Sequence, residues 1–215
     1  MAGRGRDSLV DRAAALGVTD ERVLDAMRQV PRVAFVPPAA RLLAQRDAPI
    51  PIGHGQTTSQ PTLIAHILSS MELAATDRVL EVGTGLGYQT ALLAHIVAHI
   101  YSIDRYSDLV ATARGNLASR GIHNVTLTVG DGTLGWPRHA PYDAIIVAAA
   151  FPRVPPPLVE QLVEGGRLVQ PLGREHGDDL VVFRKEGDAL VVDRRLGAAR
   201  FVPLRGRHGG GDDTT

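Results

Sequence analysis

The chain has 215 residues, 44% of them hydrophobic and 21% charged, with 23 basic against 23 acidic side chains and a pI of 7.1. That length suits one domain with a sizeable core, and the balanced charge gives no bulk attraction to nucleic acid or an anionic membrane. The absence of cysteine excludes disulfides, thiolate metal sites and a cysteine nucleophile together.

The N-terminal segment carries Arg4, Arg6, Asp7, Asp11 and Arg12, which is not the apolar stretch of a secretory leader. No apolar run reaches the ~18 residues of a membrane span. A cytoplasmic protein without membrane or nucleic-acid partners is expected. Residues 1–6 and 206–215 read as frayed tails, rich in Gly, Arg and Asp. Leu9, Val10, Ala13 and Leu16, then Val23, Leu24, Met27 and Val30, fall at helical spacing, with Thr19 as cap of the second helix and Pro31 as its stop. A proline-rich connector runs from Pro31 to Pro61, with a short helix at Pro38–Gln45.

Strands and helices then alternate. Strands are predicted at Arg78–Val82, Ile100–Ile103, Val125–Val129, Ala144–Ala148 and Arg167–Pro171, and helices at Thr62–Met71, Tyr88–Val97, Ser107–Arg120 and Pro156–Leu162. Apolar strands between helices predict a mostly parallel α/β sheet covered on both faces. Asp179–Arg184 and Ala189–Arg194 flank Lys185-Glu186-Gly187-Asp188, the pattern of a β-hairpin. A last short strand is expected at Ala199–Leu204.

Val79-Leu80-Glu81-Val82-Gly83-Thr84-Gly85-Leu86-Gly87-Tyr88 reads as a buried strand ending in an acid, then a glycine turn, then a helix. Such a turn brings bare backbone up to a nucleotide-like ligand. A dinucleotide fingerprint needs a glycine where Tyr88 stands. The spacing E-x-G-x-G-x-G instead is similar to motif I of the S-adenosylmethionine (SAM)-dependent methyltransferases. In that reading the glycine turn receives the methionine moiety, and Glu81 fixes its ammonium directly or through water. Asp104 ends the next strand, placed to accept from both ribose hydroxyls, and its neighbour Arg105 joins the cofactor set. In Gly130-Asp131-Gly132, Asp131 is set to accept from the adenine amino group and Gly132 to make room for the ring. Each residue alone has an ordinary explanation: a tight turn for the glycines, a helix cap for Asp104, a loop turn for Asp131-Gly132. Their joint order at the carboxyl ends of successive strands favours a ligand site.

Upstream, Pro51-Ile52-Gly53-His54-Gly55-Gln56-Thr57-Thr58-Ser59-Gln60-Pro61 resembles a P-I-G-x-G-Q-T-I-S-x-P segment of the protein-L-isoaspartate O-methyltransferases, with Thr58 in the place of Ile. Val30-Pro31-Arg32, Phe35-Val36-Pro37, Gly135-Trp136-Pro137, Ala140-Pro141-Tyr142-Asp143, Gly165-Gly166-Arg167-Leu168 and Phe201-Val202-Pro203-Leu204 extend the resemblance over residues 20–206. It implies a Rossmann-like SAM-methyltransferase fold: a mostly parallel seven-stranded sheet, an N-terminal helical extension (1–60), a cofactor-binding core (61–172) and a C-terminal hairpin region (173–206). The final strand order would differ from the usual one. It also implies that SAM is the cofactor and S-adenosylhomocysteine the product, that Gln56, Thr57, Thr58 and Ser59 lie against the cofactor, that Ser59 is the active-site serine, and that Val202 helps form the substrate groove. The implied partners are isoaspartyl-containing peptides and proteins, met by a monomer.

The physical chemistry agrees with that assignment. A carboxylate acceptor is already ionised at pH 7, since Asp-like acids have pKa near ~4. Methyl transfer to it needs alignment rather than a base. Leu86 stands where the family has a small residue, and Asp104 where it more often has Glu. His54, His66, His95, His99, His123 and His139 show no metal-ligand spacing, and no metal is expected. Trp136 is open to two readings, a ring stacked on ligand or a packed loop anchor. Two rival functions share the pattern: an O-methyltransferase for an aspartate of one dedicated peptide partner, and a SAM-binding protein without catalysis.

Overall fold

The computed structural model describes residues 3–174 and 177–210; the outermost parts of both expected tails, 1–2 and 211–215, lie outside the described residues. Two helices, α1 (Gly3–Ala15) and α2 (Glu21–Gln29), lead the chain. Asp20, not Thr19, caps α2: its carboxylate accepts from Arg22 N at 2.9 Å, one residue nearer the first turn than Thr19. Leu16 lies past the end of α1 and is exposed, and Val18 takes the buried place instead.

The connector contains more structure than its prolines predict. After a 3-10 turn at Pro38–Leu43, β1 (Ile50–Gly53) and β2 (Gln56–Thr58) pair as an antiparallel hairpin. Its two turn residues, His54 and Gly55, both have positive φ (52° and 66°), the backbone that matches the twist of a two-residue hairpin. Then come α3 (Pro61–Ser70), β3 (Arg78–Val82), α4 (Tyr88–Ala94), β4 (His99–Asp104), α5 (Ser107–Ala118), β5 (Val125–Val129), β6 (Tyr142–Val147), α6 (Pro156–Glu160), β7 (Leu162–Arg174), β8 (Gly177–Glu186) and β9 (Ala189–Ala199).

The seven long strands form one sheet in the order β5-β4-β3-β6-β7-β8-β9. The first five of these are parallel; β8 runs antiparallel to both β7 and β9. From β6 outward the strands follow chain order, the C-terminal hairpin extending the sheet rather than folding back into it. No strand forms at Ala199–Leu204. That segment leaves the sheet edge and crosses to the loop after β6, where Ala150 and Pro203 make an isolated bridge.

Alternation along the strands divides the core. Val79, Ala144, Ile146, Val169, Leu180 and Val182 face one side, packed with α1 to α4 and Leu117 of α5. Leu80, Ile145, Val147, Leu168, Val181 and Phe183 face the other, with Leu158 of α6, Trp136 and Leu204. Both faces are covered, the second largely by loops. Trp136 is an anchor in that loop cover: its ring meets His139 edge-on at 4.7 Å and its backbone N–H donates to Gln161 Oε1 at 2.7 Å.

Candidate functional site

The chain leaves β3 toward β4 on one side and later returns as β6 on the other. That makes β3/β6 the switch point where open α/β sheets bind ligands beyond the strand ends. A cleft lies there. It is lined by Gln56, Thr57, Thr58 and Ser59 of the hairpin and its exit, Gly83, Thr84, Gly85, Leu86 and Gln89 after β3, Asp104, Arg105 and Tyr106 after β4, Gly132 after β5, Ala148 and Ala149 after β6, and Val202 to Arg205. Every residue expected at the cofactor or substrate is in this lining except Glu81, Gly87 and Asp131.

The glycines have distinct duties. Gly83 has φ 103°, and a Cβ there would stand 3.1 Å from Ala148 Cβ, so only glycine lets β3 and β6 end this close together. Gly85 presents its backbone to the cleft. Gly87 does not line it: it takes φ 90° at the start of α4, a backbone that favours glycine, and faces Ala113 and Leu117 of α5, which corrects its expected place beside the ligand.

Asp104 holds the turn in shape. One carboxylate oxygen accepts from Gly85 N at 2.8 Å and the other from Tyr106 N at 3.1 Å. Burial pushes its carboxyl above the ordinary range, and those backbone donors, with that of Arg105, oppose the shift. A carboxylate has about four lone-pair sites, so these donors do not fill its acceptor capacity.

Glu81 is fully buried and makes no surface of the cleft, so of the two contacts expected of it, direct or through water, the direct one is not formed by this lining. Its oxygens accept from Gln89 Nε2 at 2.9 Å, Thr90 Oγ1 at 2.5 Å and Ser102 Oγ at 2.6 Å, and Ser102 Oγ lies 2.6 Å from Thr84 Oγ1. Gln89, which it holds directly, and Thr84, which it reaches through Ser102, face the cleft, so Glu81 acts from beneath through them. Burial pushes its carboxyl from 4.5 up to about 7. The folded chain therefore keeps a proton that the unfolded chain loses above 4.5, and this stabilisation declines as pH rises from 4.5 to about 7. Glu81→Gln removes the titration. Its melting temperature should gain on that of the wild type by roughly 5 °C between pH 5 and pH 8; equal pH profiles for the two proteins would refute the assignment.

The hairpin is fastened over the turn. Ile52, Leu86 and Leu109 pack together, so Leu86 contributes both to the cleft wall and to this contact. At the tip His54 stacks on Tyr106 (4.2 Å, 10°) and its Nε2 lies 2.9 Å from an Asp108 oxygen. At the base the buried guanidinium of Arg32 donates to the carbonyls of Arg46, Ala48 and Ser59 at 2.8, 2.8 and 3.0 Å. Sequence reasoning missed Arg32 as a support of Ser59, although it stands in a quoted motif. The signal was an arginine in an otherwise apolar segment.

A second groove adjoins the cleft. It is lined by Leu16, Pro49, Leu63, His66, Ala199, Arg200 and Phe201, among others, and it shares Thr57, Ser59, Ala148 and Val202 with the cleft. Ser59 thus stands at the opening between the two. Among the described residues no three metal-binding side chains converge, and no helix is long and apolar enough to cross a membrane.

The family model for protein-L-isoaspartate (D-aspartate) O-methyltransferase matches residues 4–209. The chain belongs to this family. Protein-L-isoaspartate O-methyltransferase of Methanoculleus marisnigri is 48% identical over 207 residues, covering 96% of this chain and 94% of that protein. Protein-L-isoaspartate O-methyltransferase 2 of Pelobacter propionicus is 50% identical over 194 residues, covering 90% and 86%. A solved protein-L-isoaspartate O-methyltransferase superposes with a TM-score of 0.84 at 28% identity, over 95% of this chain and 67% of the other. A crystal structure described as a putative member from Plasmodium falciparum, in complex with S-adenosyl-L-homocysteine, gives 0.80 at 25% identity, over 92% and 97%. This member of the isoaspartate methyltransferase family is a SAM-dependent enzyme with the family's Rossmann-like fold.

Proposed function

We propose that the cleft holds SAM and the adjoining groove an isoaspartyl peptide, with Ser59 aligning the acceptor carboxylate between them. The observation that carries this reading is the sharing of Thr57, Ser59, Ala148 and Val202 by cleft and groove. The cleft suits the cofactor: backbone at Gly83 and Gly85 for the methionine end, Gln89 backed by Glu81 for its ammonium, Asp104 for the ribose hydroxyls with Arg105 beside it, and Gly132 where a side chain would overlap Val82. Bound there, the sulfonium supplies an electrophilic methyl group.

None of the four shared side chains is ionisable, and none is needed as a base. The isoaspartyl α-carboxylate carries its charge at pH 7, so the residues have only to aim it. The Ser59 hydroxyl and nearby backbone N–H groups hold one carboxylate oxygen, leaving the other in line with the methyl–sulfur bond. Thr57, Ala148 and Val202 narrow the opening and keep water from the reacting oxygen. The oxygen–methyl bond forms as the carbon–sulfur bond breaks, giving a neutral ester and S-adenosylhomocysteine. The next backbone nitrogen then attacks the ester carbonyl, the carbon–nitrogen bond forming as the carbon–methoxy bond breaks and methanol leaving with the amide proton; the resulting succinimide hydrolyses partly to normal aspartate.

We infer a monomer acting in the cytoplasm on damaged proteins, whose isoaspartyl segments enter the groove from outside. The test is transfer of labelled methyl from SAM to a synthetic isoaspartyl peptide, with base-labile label expected. SAM binding without transfer would favour a non-catalytic role.

A further inference from the structure

The loop before β1 holds an acid that no motif announced. Arg32 donates to the carbonyls of Arg46 and Ala48, at 2.8 Å each, and so fixes Asp47 between them. The Asp47 carboxylate reaches the start of α3. Its Oδ1 accepts from Thr62 N at 3.0 Å, and its Oδ2 accepts from Thr62 Oγ1 at 2.8 Å and from Gln60 Nε2 at 2.9 Å. Gln60 Nε2 also donates to Thr62 Oγ1 at 3.0 Å. Both N–H bonds of the Gln60 amide are therefore committed. The amide is held one way round, because turning it over would set Oε1 against a carboxylate. Gln60 Oε1 itself accepts from no donor among the described residues. Gln60 lines the groove beside Ser59 and takes no part in the cofactor cleft.

We propose that Gln60 is a specificity-determining residue for the acceptor: its Oε1 accepts from the isoaspartyl residue's own amide N–H while Ser59 holds the α-carboxylate of that residue. The proposal rests on the groove being the peptide site. Its chemical basis is connectivity. In an isoaspartyl residue the free carboxylate and the amide nitrogen are borne on one carbon. Adjacent side chains offering a donor hydroxyl and an acceptor carbonyl meet the two together. In a normal aspartyl residue the free carboxylate stands one methylene further from the carbon that bears the nitrogen. With that carboxylate on Ser59, the N–H no longer falls at Gln60, whose carbonyl is then left without a donor. Gln60 thus adds to the discrimination between the two linkages. Asp47 is a positioning residue that acts through it, by fixing which end of the amide meets the substrate.

The test changes the protein and the substrate together. Methyl transfer from labelled SAM is compared for an isoaspartyl peptide and for its depsipeptide, in which an ester oxygen replaces the isoaspartyl N–H. Wild-type protein should favour the amide by about tenfold in kcat/KM, the scale of one hydrogen bond. Gln60→Met keeps the length and loses the polar end. Its kcat/KM for the amide peptide should fall about tenfold, mainly through KM, and its preference over the ester should vanish, because one bond is lost only once. Asp47→Asn keeps an oxygen for Thr62 N and puts an amide N–H2 where Oδ2 stood. Gln60 should turn over to meet it and present Nε2 to the substrate, so the ester should now match or exceed the amide. Affinity for S-adenosylhomocysteine should stay within about threefold of wild type in both variants. A wild-type protein indifferent to the ester, or a Gln60→Met variant that keeps the preference, would overturn the proposal. A preference kept by Asp47→Asn alone would overturn the share given to Asp47. Transfer to neither peptide by the wild type is a different result, rejecting the groove as the peptide site and the proposal with it. Melting temperatures report folding, and Gln60→Ala stands in if Gln60→Met does not fold.

Discussion

Asp104→Ala should weaken S-adenosylhomocysteine binding by about 10²-fold or more. Hydrogen bonds to a charged acceptor contribute roughly 1.5–3 kcal/mol each, and two ribose hydroxyls lose their acceptor together. A further loss comes from the protein side, because Gly85 N and Tyr106 N also lose the carboxylate that fixes them, at 2.8 and 3.1 Å. Asp104→Asn separates the two contributions. Its remaining oxygen satisfies one backbone donor, so the turn is largely kept while ribose recognition is impaired, and roughly tenfold weakening is expected. Calorimetric titration with S-adenosylhomocysteine reads both. Wild-type affinity in Asp104→Ala, in a protein that still melts cooperatively, would remove the ribose assignment.

Ser59→Ala should show the opposite pattern. Binding of S-adenosylhomocysteine should change less than about threefold, while kcat/KM for an isoaspartyl peptide falls by roughly 10²-fold, the scale associated with misplacing a reactant by about 1 Å. The backbone at Ser59 is held independently of its side chain, because Arg32 bonds its carbonyl at 3.0 Å. Removing the hydroxyl therefore leaves the loop path intact and takes away only alignment. Equal loss of cofactor affinity in Ser59→Ala and Asp104→Ala would contradict this division of roles. So would undiminished transfer by Ser59→Ala.

The elements that were legible in the sequence were those whose chemistry is local. A buried strand, a glycine turn and a strand-ending acid announced Gly83, Gly85 and Asp104, and the C-terminal hairpin followed from alternation about Gly187. The β1–β2 hairpin was hidden because Pro49 and Pro51 read as connector, although His54-Gly55 between alternating residues is a hairpin-turn pattern. β7 was read short because Gly165 and Gly166 look like a break; in the fold they lie where the pairing jumps from Tyr142↔Leu162 to Ala144↔Arg167, and the strand continues through them. The misplaced site residues share one cause. Whether Glu81 faces the cleft or the space beneath depends on Gln89, Thr90 and Ser102, brought in by α4 and β4. Asp131 likewise takes a donor from Arg207 N, distant in the chain, that no local motif announces. Side-chain type survives in a motif, but direction is decided by partners that only the tertiary structure supplies.

The most direct test of the account is a paired assay. Two synthetic peptides, identical except that one carries an isoaspartyl and the other a normal aspartyl residue, are incubated with the wild-type protein and SAM labelled in its methyl group. The account predicts base-labile label on the isoaspartyl peptide and background on its twin. Equal labelling of both, or labelling of neither by a protein that binds S-adenosylhomocysteine, would contradict it.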